Sequence, residues 1–321
     1  MPNPLVTVVI PTYNCARTLK LALVSVLAQD FADFEIQVVG DGCTDDSEAT
    51  VRALNDPRVS WTNLPANSGT PSAPRNEGQR RGHGTFLAYL GHDDLWFPWH
   101  LSSLVAAMGQ GQDFAYSLGI NYSRTTETEG PRFAFTLPAA NAVKTAMLSP
   151  SNWMMTRAFA QRVGPWNTQL ASAVDKEFLL RAWETGMQTG RTERLSAIKF
   201  PSWEWEPYRA SAACPQAPLL QAMQDDPLAL EHRLLTQLAT HVAGQPYQVR
   251  PAEDSRSEFS WSMLYLRAAL MTAYGRQRWP LKQLIEWLET RNARQARGLE
   301  SAPQHPGPHH ATGTRDPADV R

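Results

Sequence analysis

Val6–Ile10 is a short run of mostly β-branched residues closed by Pro11, the pattern of a strand buried on both faces. Leu19, Leu23, Val26 and Leu27 then recur at helical spacing. A second apolar run, Glu35–Val39, stops at the turn Gly40-Asp41-Gly42, and Asp45 and Asp46 suit the N-terminus of a helix starting near Thr44–Ser47. Arg58–Thr62 reads as a third strand, and Pro71–Pro74 opens another helix. Thr85–Leu90 is a fourth strand that runs straight into Gly91-His92-Asp93-Asp94, with a helix expected over Leu95–Met108. Strand and helix alternating in this way predict an α/β layer, a mostly parallel central sheet flanked by helices. Such sheets bind ligands beyond the carboxyl ends of their strands, so the turns after Ile10, Val39 and Leu90 are where chemistry is expected.

From about Asp113 the rhythm is less regular. Phe114–Leu118 and Asn152–Thr156 are strand candidates, and Asp175–Glu184 reads as a helix ended by Gly186, with Phe178, Leu179, Ala182 and Trp183 for its buried face. Beyond Pro218 the pattern is helical: Leu219–Val242, Ser257–Tyr274 and Leu281–Ala296. The last stretch is rich in Pro, His and Gly and reads as a disordered tail. The expected organisation is an α/β domain over 1–215, a helical C-terminal extension over 216–299 and a tail over 300–321.

Composition narrows the function. Of 321 residues, 42% are hydrophobic and 19% charged, enough for a substantial core. Lys plus Arg at 30 against Asp plus Glu at 31 leaves a net charge of -1, which argues against a chain built to grip nucleic acid. Cys15, Cys43 and Cys214 are too few and too scattered for a disulfide framework or a zinc site. The first residues carry no secretory pattern, and apolar runs such as Leu21–Ala28 fall far short of the roughly 20 residues of a membrane span. A cytoplasmic chain is expected.

Five segments carry the candidate chemistry: Val6–Asn14 with its Pro11-Thr12-Tyr13-Asn14 turn, Val38–Ser47, Asn67-Ser68-Gly69, Arg75-Asn76-Glu77-Gly78 and Leu90–Asp94. In this order and spacing the chain resembles the family 2 glycosyltransferases over roughly residues 5–210. The resemblance implies the GT-A (Rossmann-like) fold and transfer of a sugar from a nucleotide-diphospho-sugar, UDP-type by preference, to a glycan or lipid-linked acceptor hydroxyl.

The implied roles match physical needs. Tyr13 would pack on the nucleotide base, with Pro11 and Thr12 bordering it. Asp41 would accept a hydrogen bond from a ring N–H, although Asp-Gly is also a strong turn signal. Arg75 would pair with the base or the phosphates, where a planar cation is useful. By resemblance Asp94 is the ligand of a divalent metal, Mg²⁺ or Mn²⁺, and Asp93 faces the ribose or the metal's outer shell. The plain alternative is an acidic helix cap. Asp175 falls on the position of the general base of a one-step, inverting transfer. Glu177 is its rival, with the simpler option of pairing with Arg181 one turn on, and Asp175 as a helix N-cap is the plain alternative.

The chain departs from the family at Gly40 and Gly91, where members usually carry acids, and at His92, where a small residue is usual and a solvent-facing side chain is expected. Tyr208-Arg209-Ala210-Ser211 lacks a histidine common in the family. Trp153, Trp166, Trp203 and Trp205 lie in the acceptor half, with ordinary packing the commoner role. A basic amphipathic helix around Leu281–Leu288 could rest on the inner face of a membrane, although packing on the domain is the more common use. Two other functions compete. A degenerate domain would bind sugar nucleotides or proteins without catalysis. A sugar-nucleotide pyrophosphorylase would need a Gly-rich, cationic first loop, which this chain lacks. A dinucleotide oxidoreductase is weaker still without G-x-G-x-x-G.

Overall fold

Val6–Thr12 (β1) is buried at every position. Its odd and even residues serve different cores, as period-2 geometry requires. Val6, Val8 and Ile10 join one cluster with Leu19, Leu23 and Val26, while Val9 joins a second with Leu87, Tyr89 and Phe178. The computed structural model describes residues 3–109, 111–122, 132–135, 148–200 and 214–244. All of them belong to one structural unit.

Around β1 the predicted parallel layer is present. Phe34–Gly40 (β2) pairs with it on one side and Phe86–Tyr89 (β4) on the other, both parallel, and Val59–Asn63 (β3) extends the sheet beyond β2. The second half is mixed. Trp153–Thr156 (β8) runs antiparallel between β4 and Phe114–Asn121 (β6), and β6 pairs in parallel with Thr189–Lys199 (β9). Leu95–Trp96 (β5) closes that edge against β9, and Arg132–Phe135 (β7) pairs with β6.

The helices are Ala16–Leu27 (α1), Ser47–Arg52 (α2), Ser72–Arg81 (α3), His100–Met108 (α4), Arg157–Val163 (α5), Val174–Glu184 (α6), Gln216–Asp225 (α7) and Pro227–Gly244 (α8). Leu19, Leu23 and Val26 of α1 are fully buried, as their spacing predicts, and such side chains contribute roughly 1.5–3 kcal/mol each. Asp45 serves two helix starts at once, its Oδ1 accepting from Ser47 N (3.1 Å) and its Oδ2 from Ala16 N (3.0 Å).

Three expectations are corrected. The helix predicted over Leu95–Met108 starts only at His100, because Leu95 and Trp96 pair with Ile198 and Ala197 of β9. No element is predicted over 189–199, where the long strand β9 lies. The single helix predicted over Leu219–Val242 is two. Pro227 drives the residue before it out of helical geometry, so Asp226 is extended (φ -155°, ψ 93°) and caps the next helix by accepting from Ala229 N at 2.9 Å.

Leu219, Leu220 and Met223 of α7 and Leu230 and Leu234 of α8 share a core with Leu95, Phe97, Ile198 and Phe200. The start of the predicted extension therefore packs on the sheet. The helices predicted over 257–274 and 281–296, the tail, Trp203, Trp205 and the Tyr208–Ser211 segment lie outside the described residues. Among the described residues no helix is long and apolar enough to cross a membrane.

Candidate active site

The carboxyl ends of β1 and β2 are tied together before any ligand is considered. Asp41 N donates to Thr12 O at 2.8 Å, and Asn14, held at φ 47°, accepts from Thr44 N at 2.8 Å through its side chain. Gly40 has no room for the acid usual in the family, since a Cβ there would meet Asn63 Oδ1 at 2.5 Å and Trp61 at 2.8 Å. Asn63 uses that space to bracket Cys43, accepting from its N–H (2.9 Å) and donating to its carbonyl (2.8 Å).

This frame fixes Asp41, which is 5% exposed. Its Oδ2 accepts from both the N–H and the hydroxyl of Ser68 at 3.0 Å. Its Oδ1 is buried and has no partner among the described residues. A buried acceptor left unpaired costs about 1–3 kcal/mol, so this oxygen is suited to a ligand donor. Thr12 Oγ1 is also buried and unpaired, and Tyr13, next along the chain, is one of the few exposed large apolar side chains at 37%.

The two acids after β4 are not equivalent. Asp94 is fully buried, and both of its oxygens are used. Oδ1 accepts from Phe200 N (2.9 Å), and Oδ2 accepts from Ser151 Oγ (2.5 Å) and lies 3.5 Å from Lys199 Nζ. Burial raises the Asp94 pKa, with the Lys199 charge pulling against it. Burial also opposes the charge on Lys199, but Asp94, Asp93 and Asp175 together outweigh it and raise the ammonium's pKa.

Asp93 is 7% exposed, and its carbonyl accepts from Gln216 Nε2 at 3.1 Å, so the first residue of α7 braces the acidic loop. Gly91, the other departure from the family, lies against both carboxylates. A Cβ there would come within 2.9 Å of Asp93 Oδ1 and 2.8 Å of Asp94 Oδ2.

His92, expected to face solvent, is half-buried, with Nδ1 3.2 Å from Pro11 O. A carbonyl only accepts, so Nδ1 carries the proton. Burial works against a charge on this ring, but the Cys15 sulfur, the Asp93 carboxylate and the Pro11 carbonyl lift its pKa to about 9.

Arg75 and Asp175, 100 residues apart in sequence, meet at 2.5 Å between Nη1 and Oδ1. The guanidinium also lies over the Trp166 ring, 4.4 Å from its centroid. Asp175 stands in the first turn of α6 rather than at its N-cap, which is Ala173 in the left-handed region at φ 56°. Glu177 pairs with Arg181, Oε1 accepting from Nε at 2.8 Å and Oε2 from Nη2 at 3.0 Å, as the helical spacing predicts. Trp153 and Trp166 are buried and stack in a file with Phe178, so they pack the core rather than face solvent.

Lys199, Ser151 and Gln216 went unpredicted. Only their place at the ends of β9, β8 and α7 brings them to the acids, and that topology has no local signature. Two carboxylates beside Gly91 offer hard oxygen ligands, and a Mg²⁺-type ion commonly takes one or two of these with the rest from phosphate and water. Among the described residues no three His, Cys, Asp or Glu side chains gather as a cage. The donor set thus fits an ion shared with a bound phosphate. The expectation that Asp94 holds it meets an obstacle, because its oxygens already serve Phe200, Ser151 and Lys199.

The family model described as "Glycosyl transferase family 2" matches residues 7–164. WcaA of Escherichia coli, named for colanic acid biosynthesis, is 33% identical over 122 residues, 37% of this chain and 43% of that protein. The E. coli UDP-Glc:alpha-D-GlcNAc-diphosphoundecaprenol beta-1,3-glucosyltransferase WfgD is 30% identical over 108 residues, 34% of this chain and 42% of its own length. The chain thus spans under half the length of these curated relatives.

Among solved structures, S. aureus TarS 1-349 in complex with UDP-GlcNAc superposes with a TM-score of 0.55 at 18% identity, covering 83% of this chain and 80% of that one. The mannosyltransferase PcManGT from Pyrobaculum calidifontis, in complex with GDP-Man and Mn²⁺, gives 0.50 at 16% identity, covering 92% and 87%. These likenesses show the shared fold, and the sequence match identifies a glycosyl transferase family 2 domain over residues 7–164.

Proposed function

We propose that the chain is an inverting glycosyltransferase that uses a nucleotide-diphospho-sugar. The observation that carries this reading is the buried, unpartnered Oδ1 of Asp41 beside exposed Tyr13, an acceptor that a nucleobase ring N–H would satisfy. Pro11 and Thr12 border the base, and Tyr13 covers its face. UDP is the preferred nucleotide, supported by the UDP-GlcNAc complex of TarS and the UDP-Glc donor in WfgD's name.

Arg75 and Lys199 are the cations for the diphosphate. A divalent ion, Mg²⁺ or Mn²⁺, would offset the leaving group's charge when bound. Asp93 is its better protein ligand, with Asp94 as the buried anchor that positions Lys199 and Ser151. Gln216 and the helices after it are then a brace for this loop, so the working unit extends beyond residue 215.

Asp175 is the general base. The acceptor hydroxyl attacks the anomeric carbon and its proton passes to the Asp175 carboxylate. The bond from the anomeric carbon to the diphosphate oxygen breaks as the new C–O bond forms, and the nucleoside diphosphate leaves with the bonding pair. A glycan or lipid-linked hydroxyl is the proposed acceptor, in keeping with WfgD's diphosphoundecaprenol substrate.

The test is release of nucleoside diphosphate from a panel of UDP- and GDP-sugars with Mn²⁺ and a lipid-linked GlcNAc acceptor. Wild type should turn over one donor and Asp175→Asn should not. Equal turnover in both would move the base elsewhere.

A further inference from the structure

Arg75 is assigned to the donor and Asp175 to the acceptor, yet the two hold each other at 2.5 Å. An ion pair that merely fastened α3 to α6 would be redundant. Asn76 already fastens α3 to the approach of α6, donating to Trp166 O at 2.9 Å and accepting from Trp166 N at 2.8 Å. Arg181 holds the same approach from the other side through the carbonyls of Val163 (2.5 Å) and Pro165 (3.0 Å).

The pair is also asymmetric. The Arg75 side chain is 8% exposed and the Asp175 side chain 40%. The guanidinium lies over the Trp166 ring, and its Nε is buried without a partner among the described residues. Stacking fixes the plane and leaves the edge donors able to exchange one anion for another. The charges facing this pair are Lys199, which feels both members, and the Asp93 and Asp94 carboxylates beyond it.

We infer that Arg75 is a positioning residue that couples the two half-sites: it holds Oδ1 of the Asp175 carboxylate until a donor diphosphate draws it away, so that donor binding resets the orientation of the base. This rests on the donor site proposed above. The guanidinium holds Oδ1 and so sets where the Asp175 carboxylate points. A diphosphate offers more charge and more acceptor oxygens than one carboxylate, so it wins the exchange and leaves the carboxylate to turn toward an acceptor hydroxyl.

The coupling has a thermodynamic signature. If donor and Asp175 compete for Arg75, nucleotide affinity in the wild type is reduced by the fraction of Arg75 held by Asp175. Removing the charge of Asp175 must then tighten nucleotide binding, and a displaced Arg75 signal separates release of Arg75 from the mere loss of a negative charge near the diphosphate.

The experiment is calorimetric titration of the full chain with UDP and GDP in Mn²⁺, on wild type, Asp175→Asn and Arg75→Lys. It is paired with arginine Nε–Hε NMR, in which the Arg75 signal is assigned by its loss from Arg75→Lys. Asp175→Asn is isosteric and the Asn76 and Arg181 contacts remain, so it should fold, with a melting temperature lowered only by the loss of the Arg75 counter-charge. Expected are about three- to tenfold tighter nucleotide binding in Asp175→Asn, weaker binding in Arg75→Lys, and an Arg75 signal that shifts on nucleotide saturation in wild type. In Asp175→Asn without nucleotide that signal should already be displaced. Unchanged affinity in Asp175→Asn with a stationary Arg75 signal would overturn the coupling while leaving the donor site standing. No binding of either nucleotide to wild type would remove the donor site and the coupling together.

Discussion

Lys199 Nζ lies 3.5 Å from Asp94 Oδ2, and this contact makes the two adjacent acids chemically different. Asp94 is fully buried, with donors on both oxygens, whereas Asp93 is 7% exposed. In the proposed reading Asp94 anchors the scaffold and Asp93 meets the ion.

Substituting each acid should separate the roles. Asp94→Asn leaves Lys199 without its counter-charge and should lower unfolding free energy by about 2 kcal/mol, measured by urea denaturation. Asp93→Asn should cost less stability than Asp94→Asn but abolish the Mn²⁺-dependent part of nucleotide binding. The reverse pattern would return the metal to Asp94.

Gly91 has no spare volume, because a methyl group there would lie within 2.9 Å of Asp93 Oδ1 and 2.8 Å of Asp94 Oδ2. Gly91→Ala should therefore displace a carboxylate, cost about 1–3 kcal/mol and weaken Mn²⁺-stimulated nucleotide binding. Thermal denaturation and calorimetry on the same sample check both effects.

Asp175→Asn should lower transfer by about 10²–10⁴-fold, the usual contribution of a general base. Glu177→Gln should change transfer by less than about tenfold, since Glu177 is committed to Arg181. Comparable losses in both variants, in a steady-state transfer assay, would contradict the division.

His100 supplies a pH dependence far from the site. It is fully buried, stacks on Trp96 with 4.0 Å between ring centroids and lies 2.7 Å from Ser196 Oγ. Burial holds its pKa down at about 3. The unfolded chain takes a proton near pH 6.5 that the folded chain refuses until about pH 3, so stability is full above the unfolded value and falls as pH drops between them. From pH 7 to pH 5 this group should remove about 2 kcal/mol. In His100→Phe, which keeps the stack but gives up the Ser196 contact, that share of the pH dependence should vanish. Urea midpoints at the two pH values measure it.

The parallel layer was legible because its strands are largely buried, so β1 and β4 appear as mainly apolar runs, and β2, though it carries Glu35 and Gln37, ends in Val38-Val39 before a turn. The mixed half was not. β9 is interrupted by Arg191, Glu193 and Arg194 and acquires its place through pairing with a strand some 75 residues earlier. The same reason hid Lys199. The Arg75–Asp175 pair was visible only as two separate candidates, because nothing local relates positions 100 residues apart. Glu177 with Arg181 was readable because helical spacing alone joins them.

The most direct test of the central claim is calorimetry of UDP and other nucleoside diphosphates, with and without Mn²⁺, on wild type and Asp41→Asn. The nucleotide-site reading predicts saturable binding of one nucleotide, strengthened by Mn²⁺ and weakened roughly 10- to 100-fold in Asp41→Asn, as expected when a buried acceptor for a ring N–H becomes a donor. Binding of no nucleotide, or equal affinity in the two proteins, would contradict it.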